Sequence, residues 1–512
     1  MVRTILILDY GSQFTQLIAR KVRELEAYCE IHPHGKSAEA IAALSPAGII
    51  LSGGPQSVLA ADAPQIAPEV WSCGAPVLGV CYGMQAMAVS LGGAVESAER
   101  HEYGGAEAEL SPACELFSGL PPRLPVWMSH GDRVSRMPPG FTAAASSESS
   151  PVAAMFDGER RYYGLQFHPE VAHTQRGRDI LSRFVSDICG SGGDWTMPNF
   201  IRNAAEEIQQ KTGDEEILLA LSGGVDSAVV AALLHRAVGA RLHCVLVDHG
   251  LMREGETESV RAALCGRFGA ELHVIHAADR FFAALKGVCD PEEKRRRIGE
   301  TFIAEFESHA KSRANMQWLA QGTIYPDVVE SAGVEGGGKA VIKSHHNVGG
   351  LPARLNLKLL EPLRELFKDE VRKLGLELGL PEELVFRHPF PGPGLAVRVL
   401  GEVTPERAAT ARRADAVLTE ELAAAGLDKK TAQAFVVLLP VRTVGVMGDS
   451  RTYENAAAVR AVTTNDFMTA DWARLPDEFL ARVSSRIINT VPGINRVVYD
   501  ISSKPPATVE WE

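Results

Sequence analysis

A glycine-rich turn between an apolar run and a helix constrains this chain more than any other feature. Residues 218–221 are apolar, and the turn Ser222-Gly223-Gly224-Val225-Asp226-Ser227 follows at once. Residues 228–238 are mostly apolar and end at Gly239, so the stretch predicts a strand, a turn and a helix in succession. Adjacent glycines let the backbone approach a ligand, and a helix start presents unpaired N–H groups and a positive dipole end. The stretch therefore predicts a cradle for a polyphosphate.

This turn differs from a Walker A loop, which has a longer Gly-x4-Gly-Lys-Ser/Thr spacing and a lysine for the β- and γ-phosphates. Its centre holds Asp226 instead, and a carboxylate beside phosphate is favourable when Mg²⁺ lies between them. An ordinary glycine-rich turn is the alternative. Two serines and an aspartate, set between a strand and a helix, favour the phosphate cradle.

The composition of the whole chain limits its class. A length of 512 residues suggests about three domains, each able to bury its own core. The net charge of −12 disfavours a general affinity for nucleic acid or for an anionic membrane. Eight cysteines, none in Cys-x-x-Cys spacing, fit a reducing compartment, and we find no signal peptide or membrane-spanning apolar stretch. We expect a cytoplasmic protein that binds neither nucleic acid nor membrane.

The first segment alternates apolar strands with helices. Strands are predicted at residues 4–8, 28–32, 48–51 and 76–78, an order typical of a parallel sheet. Gly79-Val80-Cys81-Tyr82-Gly83 then has the form of a nucleophile elbow, with cysteine in place of serine. The glycines permit a strained turn, and the helix start favours the reactive thiolate. A buried, inert cysteine is the alternative, and it suits the other seven cysteines better than Cys81.

A thiolate nucleophile also needs a base and a group that orients the base. His168 and Glu170 follow another short strand, in the stretch 164–170. His168 would accept and return the proton while Glu170 holds the imidazole, as in other Ser/Cys–His–acid triads. A lone histidine is more often structural, but the elbow cysteine upstream favours a catalytic one.

Cys81, His168 and Glu170 resemble the triad of the class I glutamine amidotransferases. Gly53-Gly54 resembles the oxyanion-hole loop of that family, where the loop acts together with the backbone N–H at the position of Tyr82. The resemblance implies hydrolysis of glutamine to glutamate through a cysteinyl thioester, with the ammonia kept for a second reaction.

The same resemblance implies where glutamine binds. Gln85 and Asp132, the latter within residues 129–132, match positions that hold the substrate in that family. The glycines and serine at 190–193 predict a flexible linker at the end of this segment.

The second segment begins with the phosphate cradle. A strand at 242–248, a helix at 256–268 and a strand at 272–275 predict a second doubly wound sheet. Because ligands of such sheets lie beyond the carboxyl ends of the strands, residues 247–250 should lie near adenine and ribose. The combination resembles the N-type ATP pyrophosphatases, which cleave ATP between the α- and β-phosphates. This implies ATP as co-substrate, Mg²⁺ on Asp226, and ATP contacts from Ser222, Gly223, Gly224, Val225, Asp226, Ser227 and Val247.

A basic cluster at residues 291–299 has two interpretations. It is either a solvated helix face or a mobile lid that grips phosphate. Lys343 and Lys368 are candidates for further phosphate contacts. Zinc on His345 and His346 is rejected, because adjacent residues diverge on a strand and no other ligands are suitably spaced.

The last segment changes character at the proline-rich turn 387–394 and predicts an α+β fold. Residues 390–394, 444–449 and 504–512 closely resemble the GMP synthase family, and the likeness extends over essentially the whole chain. It implies a homodimer interface in this segment and contacts to xanthosine monophosphate (XMP) from Arg295, Gln433, Asp449, Lys504, Val509 and Glu510. Two departures are His249, where asparagine is common, and Val509, where isoleucine is usual; neither is expected to alter the chemistry.

These patterns predict an α/β protein with two doubly wound parallel-sheet domains, the first amidotransferase-like and the second adenine-nucleotide α-hydrolase-like, and a small α+β dimerisation domain. The expected bounds are 1–193, 194–387 and 388–512. The implied reaction adenylylates the O2 atom of XMP and replaces AMP with ammonia at C2. NAD and asparagine synthetases and tRNA-thiolating enzymes share the phosphate loop, but the closing residues and the acidic charge disfavour them. A non-catalytic scaffold is disfavoured by two complete sets of site residues.

Overall fold

The chain divides into two compact units, Met1–Phe200 and Ile201–Glu512. The computed structural model describes residues 3–266, 269, 271–311, 316–332, 357–447, 450–464 and 469–512. The predicted boundary at 193/194 lies just before the end of the first unit. In these ranges no helix is both long and apolar enough to span a bilayer.

The first unit is a mixed sheet with helices. Its strands are β1 Ile5–Asp9, β2 Cys29–Pro33, β3 Gly48–Leu51, β4 Val77–Val80, β5 Ala94–Leu110, β6 Arg123–Arg136, β7 Thr142–Ser146, β8 Ala154–Asp157 and β9 Tyr162–Leu165. Its helices are α1 Thr15–Arg23, α2 Ala38–Leu44, α3 Glu69–Ser72, α4 Tyr82–Ser90 and α5 Gly177–Ser182, which continues as a π-helix over Arg183–Ile188. The strand order is β2-β1-β3-β4-β9-β8-β7-β5-β6.

Only part of this sheet is parallel. Strands β2, β1, β3, β4 and β9 run parallel, as predicted, whereas β8, β7, β5 and β6 extend the sheet in antiparallel pairs. The predicted parallel sheet is confirmed, and residues 94–157 add antiparallel strands that the sequence patterns did not indicate. The connection between β5 and β6 is short and holds only the 3₁₀-helix Glu115–Phe117, so it makes no crossover and the two strands pair antiparallel. The predicted triad lies at the carboxyl ends of the parallel strands.

The second unit holds two sheets. Strands β10 Glu216–Leu221, β11 Leu242–Asp248, β12 Leu272–His276, β13 Met316–Ala320 and β14 Lys358–Leu360 form a parallel sheet in the order β12-β11-β10-β13-β14. Strands β15 Gln433–Met447, β16 Ser450–Thr463, β17 Asp471–Trp472 and β18 Ile494–Asp500 form the other, with β16 paired to β15, β17 and β18.

The second unit also contains most of the helices of the chain. They are α6 Met197–Thr212, which crosses the boundary between the units, α7 Val225–Val238, α8 Glu256–Arg261, α9 Ala278–Leu285, α10 Pro291–Lys311, α11 Tyr325–Ala332, α12 Lys368–Glu377, α13 Glu382–Val385, α14 Pro405–Ala424 and α15 Asp477–Thr490. Helix α8 is shorter than the predicted 256–268, because it widens to a π-helix at Ala262–Gly266.

One hydrophobic core spans the second unit. It includes Leu218 of β10 and Phe281 of α9, and also Leu395, Val436 and Ile487 from the last segment. The two segments that the sequence separates at 387/388 therefore pack together, and that boundary stays a prediction from composition. The parallel sheet places the phosphate cradle at its carboxyl edge, between β10 and α7.

Candidate active site

Cys81 occupies a sharp turn between β4 and α4. Its φ of 52° and ψ of −107° lie in a region that residues with a side chain rarely adopt. The flanking glycines are required by close contacts. A Cβ on Gly79 would lie 2.6 Å from the backbone of Gly83, and a Cβ on Gly83 would lie 2.4 Å from the carbonyl oxygen of Leu51. The Gly-x-Cys-x-Gly pattern thus follows from packing as well as from the turn.

His168 and Glu170 lie beside this cysteine as predicted. His168 Nδ1 is 2.7 Å from Glu170 Oε1, and both side chains are buried. Burial by itself would lower the pKa of His168, but hydrogen bonds to Cys81 and Glu170 and their negative charges outweigh it and raise the pKa to about 10. The imidazole therefore holds a proton between an acid and a thiol, the arrangement of a nucleophilic triad.

The backbone around His168 is also fixed. Its N–H donates to the carbonyl of Trp127 at 3.0 Å, and Thr174 Oγ1 donates to its carbonyl at 2.6 Å. The ring of Phe14 contacts the imidazole edge-on, with centroids 5.1 Å apart. The ring lies with Nδ1 towards Glu170.

The predicted oxyanion loop lies against the elbow. A Cβ on Gly54 would approach the Tyr10 carbonyl to 2.9 Å and the ring of Tyr82 to 3.2 Å, and one on Gly53 would approach His168 Cε1 to 3.3 Å. Glycine at both positions lets the backbone reach the triad. The structure therefore brings Gly54 and Tyr82 together at the nucleophile.

Gln85 and Asp132 also meet. Gln85 Nε2 donates to the carbonyl oxygen of Asp132 at 2.8 Å and to Gln166 Oε1 at 3.2 Å. The Asp132 carboxylate accepts from Ser97 Oγ at 3.1 Å and from Ser57 Oγ. Sequence reasoning missed the contact of Gln166 with Gln85. Its position was a usable signal, because Gln166 follows the end of the strand that leads to His168, two residues further on.

Sequence reasoning placed His130 within the stretch 129–132 but missed its partner behind Asp132. His130 Nδ1 lies 3.0 Å from the Asp132 carbonyl, and His130 Nε2 lies 3.0 Å from Glu102 Oε2. Burial lowers the pKa of His130, and the neighbouring Glu102 opposes that effect. Glu102 comes from β5, far away in sequence, so no local motif could have indicated it.

The phosphate cradle has the predicted strand–turn–helix form. Gly223 has a φ of +73°, and α7 begins at Val225 and ends before Gly239. Ser227 Oγ donates to the Gly224 carbonyl at 3.0 Å, while the Gly224 N–H donates to Ser222 Oγ at 3.3 Å. The two serines therefore hold the turn open around its glycines.

Two other strand ends border this cradle. Strand β11 pairs with β10 as far as Leu246, so Val247 lies next to the cradle, as predicted. Gly322, two residues after β13, also approaches closely, since a Cβ there would be 3.2 Å from the Asp226 side chain. Lys368 Nζ binds both carboxylate oxygens of Asp226. Lys343, the other lysine considered, lies outside the described residues.

The predicted lid residue Arg295 lies on helix α10. Its Nη2 donates to the main-chain oxygen of Glu512 at 2.5 Å. The neighbouring Lys294 is buried and binds the Glu512 side chain and the carbonyl oxygens of Ala396 and Val399. Arg296 instead pairs with Glu293 and Glu300 on its own helix, the solvated-face alternative.

Two predicted XMP residues contact each other. Gln433 Nε2 donates to Glu510 Oε1 at 2.7 Å, and the buried Arg398 donates to both oxygens of Glu510. Val509 packs in a small cluster that includes Phe435. Arg398 was missed, although an arginine inside the apolar run 395–400 was a usable signal.

The last two candidate XMP residues are Lys504 and Asp449, and the structure describes only the first of them. The backbone of Lys504 pairs with Ala470 at 2.7 to 3.0 Å, beside β17. Asp449 lies outside the described residues. Within those residues, no group of three or more histidine, cysteine, aspartate or glutamate side chains is arranged to hold a metal ion.

The fold and these two sites define a glutamine amidotransferase joined to a PP-loop nucleotide-binding domain. Residues 6–188 match the family model of class I glutamine amidotransferases, residues 197–310 match the PP-loop domain, and residues 420–511 match the GMP synthase C-terminal domain. The three models follow one another in the predicted order.

Curated relatives extend over the full length. The chain is 58% identical to the glutamine-hydrolysing GMP synthase of Aromatoleum aromaticum, with 99% of each chain covered. It is 57% identical to that of Nitrosomonas eutropha, again over 99% of each, and 56% identical to that of Thiobacillus denitrificans over 100% of each. The chain belongs to the glutamine-hydrolysing GMP synthase family.

Proposed function

We propose that this chain makes GMP from XMP, with glutamine as the nitrogen donor and ATP as the activating co-substrate. One observation carries the proposal: a buried Cys81–His168–Glu170 triad and a glycine-rich phosphate cradle occur in one chain that matches GMP synthases from end to end. The triad accounts for the release of ammonia from glutamine. The cradle accounts for the binding of ATP, which activates XMP for attack by that ammonia.

In the first reaction Cys81 Sγ attacks the amide carbon of glutamine. The negative oxygen is held by the backbone N–H groups at Gly54 and Tyr82, where the loop and the elbow meet. His168 gives its proton to the leaving nitrogen, so that ammonia departs and a thioester remains. Water then attacks the thioester with His168 as base, and glutamate leaves. Gln85 and Asp132 position the substrate.

In the second reaction the O2 atom of XMP attacks the α-phosphorus of ATP, and pyrophosphate leaves. The cradle residues and Lys368 hold the β- and γ-phosphates and balance their charge. Val247 contacts the adenosine side of the site. Ammonia then attacks C2, AMP departs with the O2 atom, and GMP remains. The XMP contacts are Arg295, Gln433, Asp449, Lys504, Val509 and Glu510.

The donor set of the cradle suits Mg²⁺. This ion is usually held by one or two carboxylates together with substrate phosphates, and Asp226 offers a partly exposed carboxylate at the cradle. Asp226 and the phosphates of ATP would hold it. Bound there, Mg²⁺ would supply charge neutralisation for the departing pyrophosphate.

We further propose a homodimer formed through residues 388–512. The hairpin β15–β16 carries Val444, Val446 and Tyr453, each more than half exposed, and Val444 pairs in register with Tyr453. An exposed apolar patch of this kind supports a protein contact. Light scattering on Val446→Asp tests it, and a dimer that persists unchanged contradicts this surface.

A cytoplasmic location is also proposed, because all eight cysteines are free thiols, as expected in a reducing compartment.

The enzymatic proposal is tested by supplying glutamine, Mg-ATP and XMP and separating the nucleotides by chromatography. We expect GMP and AMP in equal amounts, with pyrophosphate. Absence of GMP, or formation of ADP in place of AMP, would overturn the assignment.

A further inference from the structure

A buried ion pair lies directly behind the phosphate cradle. Glu256, the first residue of α8, is buried, and its Oε1 is 3.0 Å from Arg387 Nη2. A Cβ placed on Gly223 would lie 2.6 Å from Glu256 Oε1 and 3.5 Å from Arg387 Nη2. The left-handed turn at Gly223 therefore rests on both charged groups at once.

The two facing atoms are held by charge alone. Within the described part of the chain, neither Glu256 Oε1 nor Arg387 Nη2 has a hydrogen-bond partner, although both are buried. A buried charge of this kind is costly unless an opposite charge lies close to it. Glu256 and Arg387 therefore depend on each other, and either one alone would place an unbalanced charge next to Gly223.

Other charged groups nearby are engaged elsewhere. The N–H of Arg253 donates to Glu256 Oε2 at 3.4 Å, but the Arg253 guanidinium lies over Phe390 and donates to the carbonyls of His388 and Pro389. It also lies 4.0 Å from Asp415. Arg387 is thus the cation that faces the carboxylate oxygen beside Gly223.

We infer that Glu256 and Arg387 are positioning residues that set the affinity of the cradle for pyrophosphate. Glu256 supports the Gly223 turn and holds the Arg387 guanidinium away from the phosphates. Arg387 cancels the carboxylate charge, which would otherwise repel ATP and pyrophosphate. The balanced pair lets the cradle bind ATP and still release pyrophosphate. This inference rests on the proposed function, in which the cradle binds those phosphates.

Glu256 and Arg387 have opposite charges, so single substitutions should change the affinity for pyrophosphate in opposite directions if their role is electrostatic. If the pair only fills space, both substitutions should weaken binding. In Arg387→Gln the Glu256 carboxylate is unbalanced, and we expect pyrophosphate to bind about tenfold more weakly. In Glu256→Gln the guanidinium is unbalanced, and we expect pyrophosphate to bind several-fold more tightly. Isothermal titration with Mg-pyrophosphate measures both affinities in the full chain.

The double variant Glu256→Gln/Arg387→Gln carries neither charge, and we expect its affinity to return close to that of the unchanged protein. Arg280→Gln is the matched control, because it removes an arginine from another ion pair of the same unit, with Glu305 at 2.8 Å. Glutaminase activity and circular dichroism confirm folding. If a single variant does not fold, the double variant still distinguishes the two roles. If the pair only filled space, the double variant would also bind pyrophosphate more weakly.

The outcomes separate cleanly. Equal weakening by both single substitutions, or no change in either, would overturn the inference. Failure of the unchanged protein to bind Mg-pyrophosphate or Mg-ATP would instead overturn the proposed function of the cradle. Opposite shifts of the two affinities, with recovery in the double variant, support the inference.

Discussion

Lys368 Nζ lies 2.7 Å from both carboxylate oxygens of Asp226, which joins the start of α12 to the first turn of α7. A lysine was absent from the phosphate turn itself, and the fold supplies one from a helix far along the chain. The lysine beside this turn is therefore supplied by tertiary structure, whereas a Walker A loop carries one in its own sequence.

Lys368→Met should reduce ammonium-dependent GMP formation by about a hundredfold and raise the KM for ATP, because a donor that balances the phosphate charge is lost. Glutaminase activity should persist, since the triad belongs to the other unit. Lys358→Met is the matched control; Lys358 pairs with Glu215 at 3.0 Å. Similar losses in both variants would contradict the specific role of Lys368.

Cys81→Ala should abolish GMP formation from glutamine and leave formation from added ammonium, because only the thioester step needs the thiol. Asp226→Ala should stop the formation of AMP from either nitrogen source. Nucleotide chromatography with glutamine and with ammonium chloride checks both variants. Loss of ammonium-dependent synthesis in Cys81→Ala would argue against two separate sites.

Glu170→Gln should change the pH dependence of glutamine hydrolysis. The pKa of His168 is raised to about 10, so the imidazole keeps its proton below that value and can protonate the leaving ammonia. Removing the Glu170 charge should lower the pKa of His168 and move the alkaline limb of kcat/KM to lower pH, by about one unit or more. An alkaline limb that stays in place would contradict the assigned role.

The same raised pKa has a consequence for stability. Because it lies above the ordinary histidine value, the His168 ion pair stabilises the fold fully below about pH 6.5 and progressively less as the pH rises towards 10. Melting temperatures of the parent and of Glu170→Gln should therefore converge as the pH approaches 10.

His249 should make the second unit sensitive to acid. It lies between the rings of Phe281 and Phe302, and burial lowers its pKa to about 4, despite the opposing charge of Asp248. With a folded pKa below the unfolded one, stability is full above about pH 6.5 and falls by about 3 kcal/mol as the pH drops to 4. Calorimetry of His249→Asn between pH 7 and 4.5 should show a smaller loss than the parent. An equal loss would mean that other groups cause it.

Gly83→Ala should destabilise the first unit by at least about 1–3 kcal/mol, because the new Cβ would lie 2.4 Å from the Leu51 carbonyl oxygen. Glutaminase activity should fall with it, since the elbow must shift. Gly105→Ala is the control: a Cβ there meets nothing within 4 Å. Thermal melts of both variants make the comparison, and equal stability would show that the elbow can relax.

The local motifs predicted the strand–turn–helix frames of the two candidate sites, because each frame depends on residues close together in the sequence. The elbow around Cys81 and the cradle 222–227 both lie between a strand and a helix, as the apolar patterns indicated. The stretch 190–193 was harder to interpret. Its glycines predicted a flexible linker, but Ser191 is buried and its hydroxyl donates to the carbonyl of Arg3 at 2.8 Å.

The partners that come from distant strands and helices could not be predicted. Glu102 meets His130, and Arg387 meets Glu256, only when the sheets form. Lys368 was itself a candidate for a phosphate contact, but its pairing with Asp226 could not be read from the sequence. The antiparallel strands β5 to β8 were missed for a related reason, since alternating strands and helices predict a parallel sheet and a hairpin extension leaves that pattern intact.

The left-handed turn at Cys81 implies that this enzyme gives up conformational stability for reactivity. A residue with a Cβ at a φ of 52° is strained by about 1–2 kcal/mol relative to glycine. The proposed nucleophile thus occupies a position at which glycine would remove this backbone strain, and Cys81→Gly should melt at a higher temperature than the parent while releasing no ammonia. Selection for glutamine hydrolysis keeps the less stable residue.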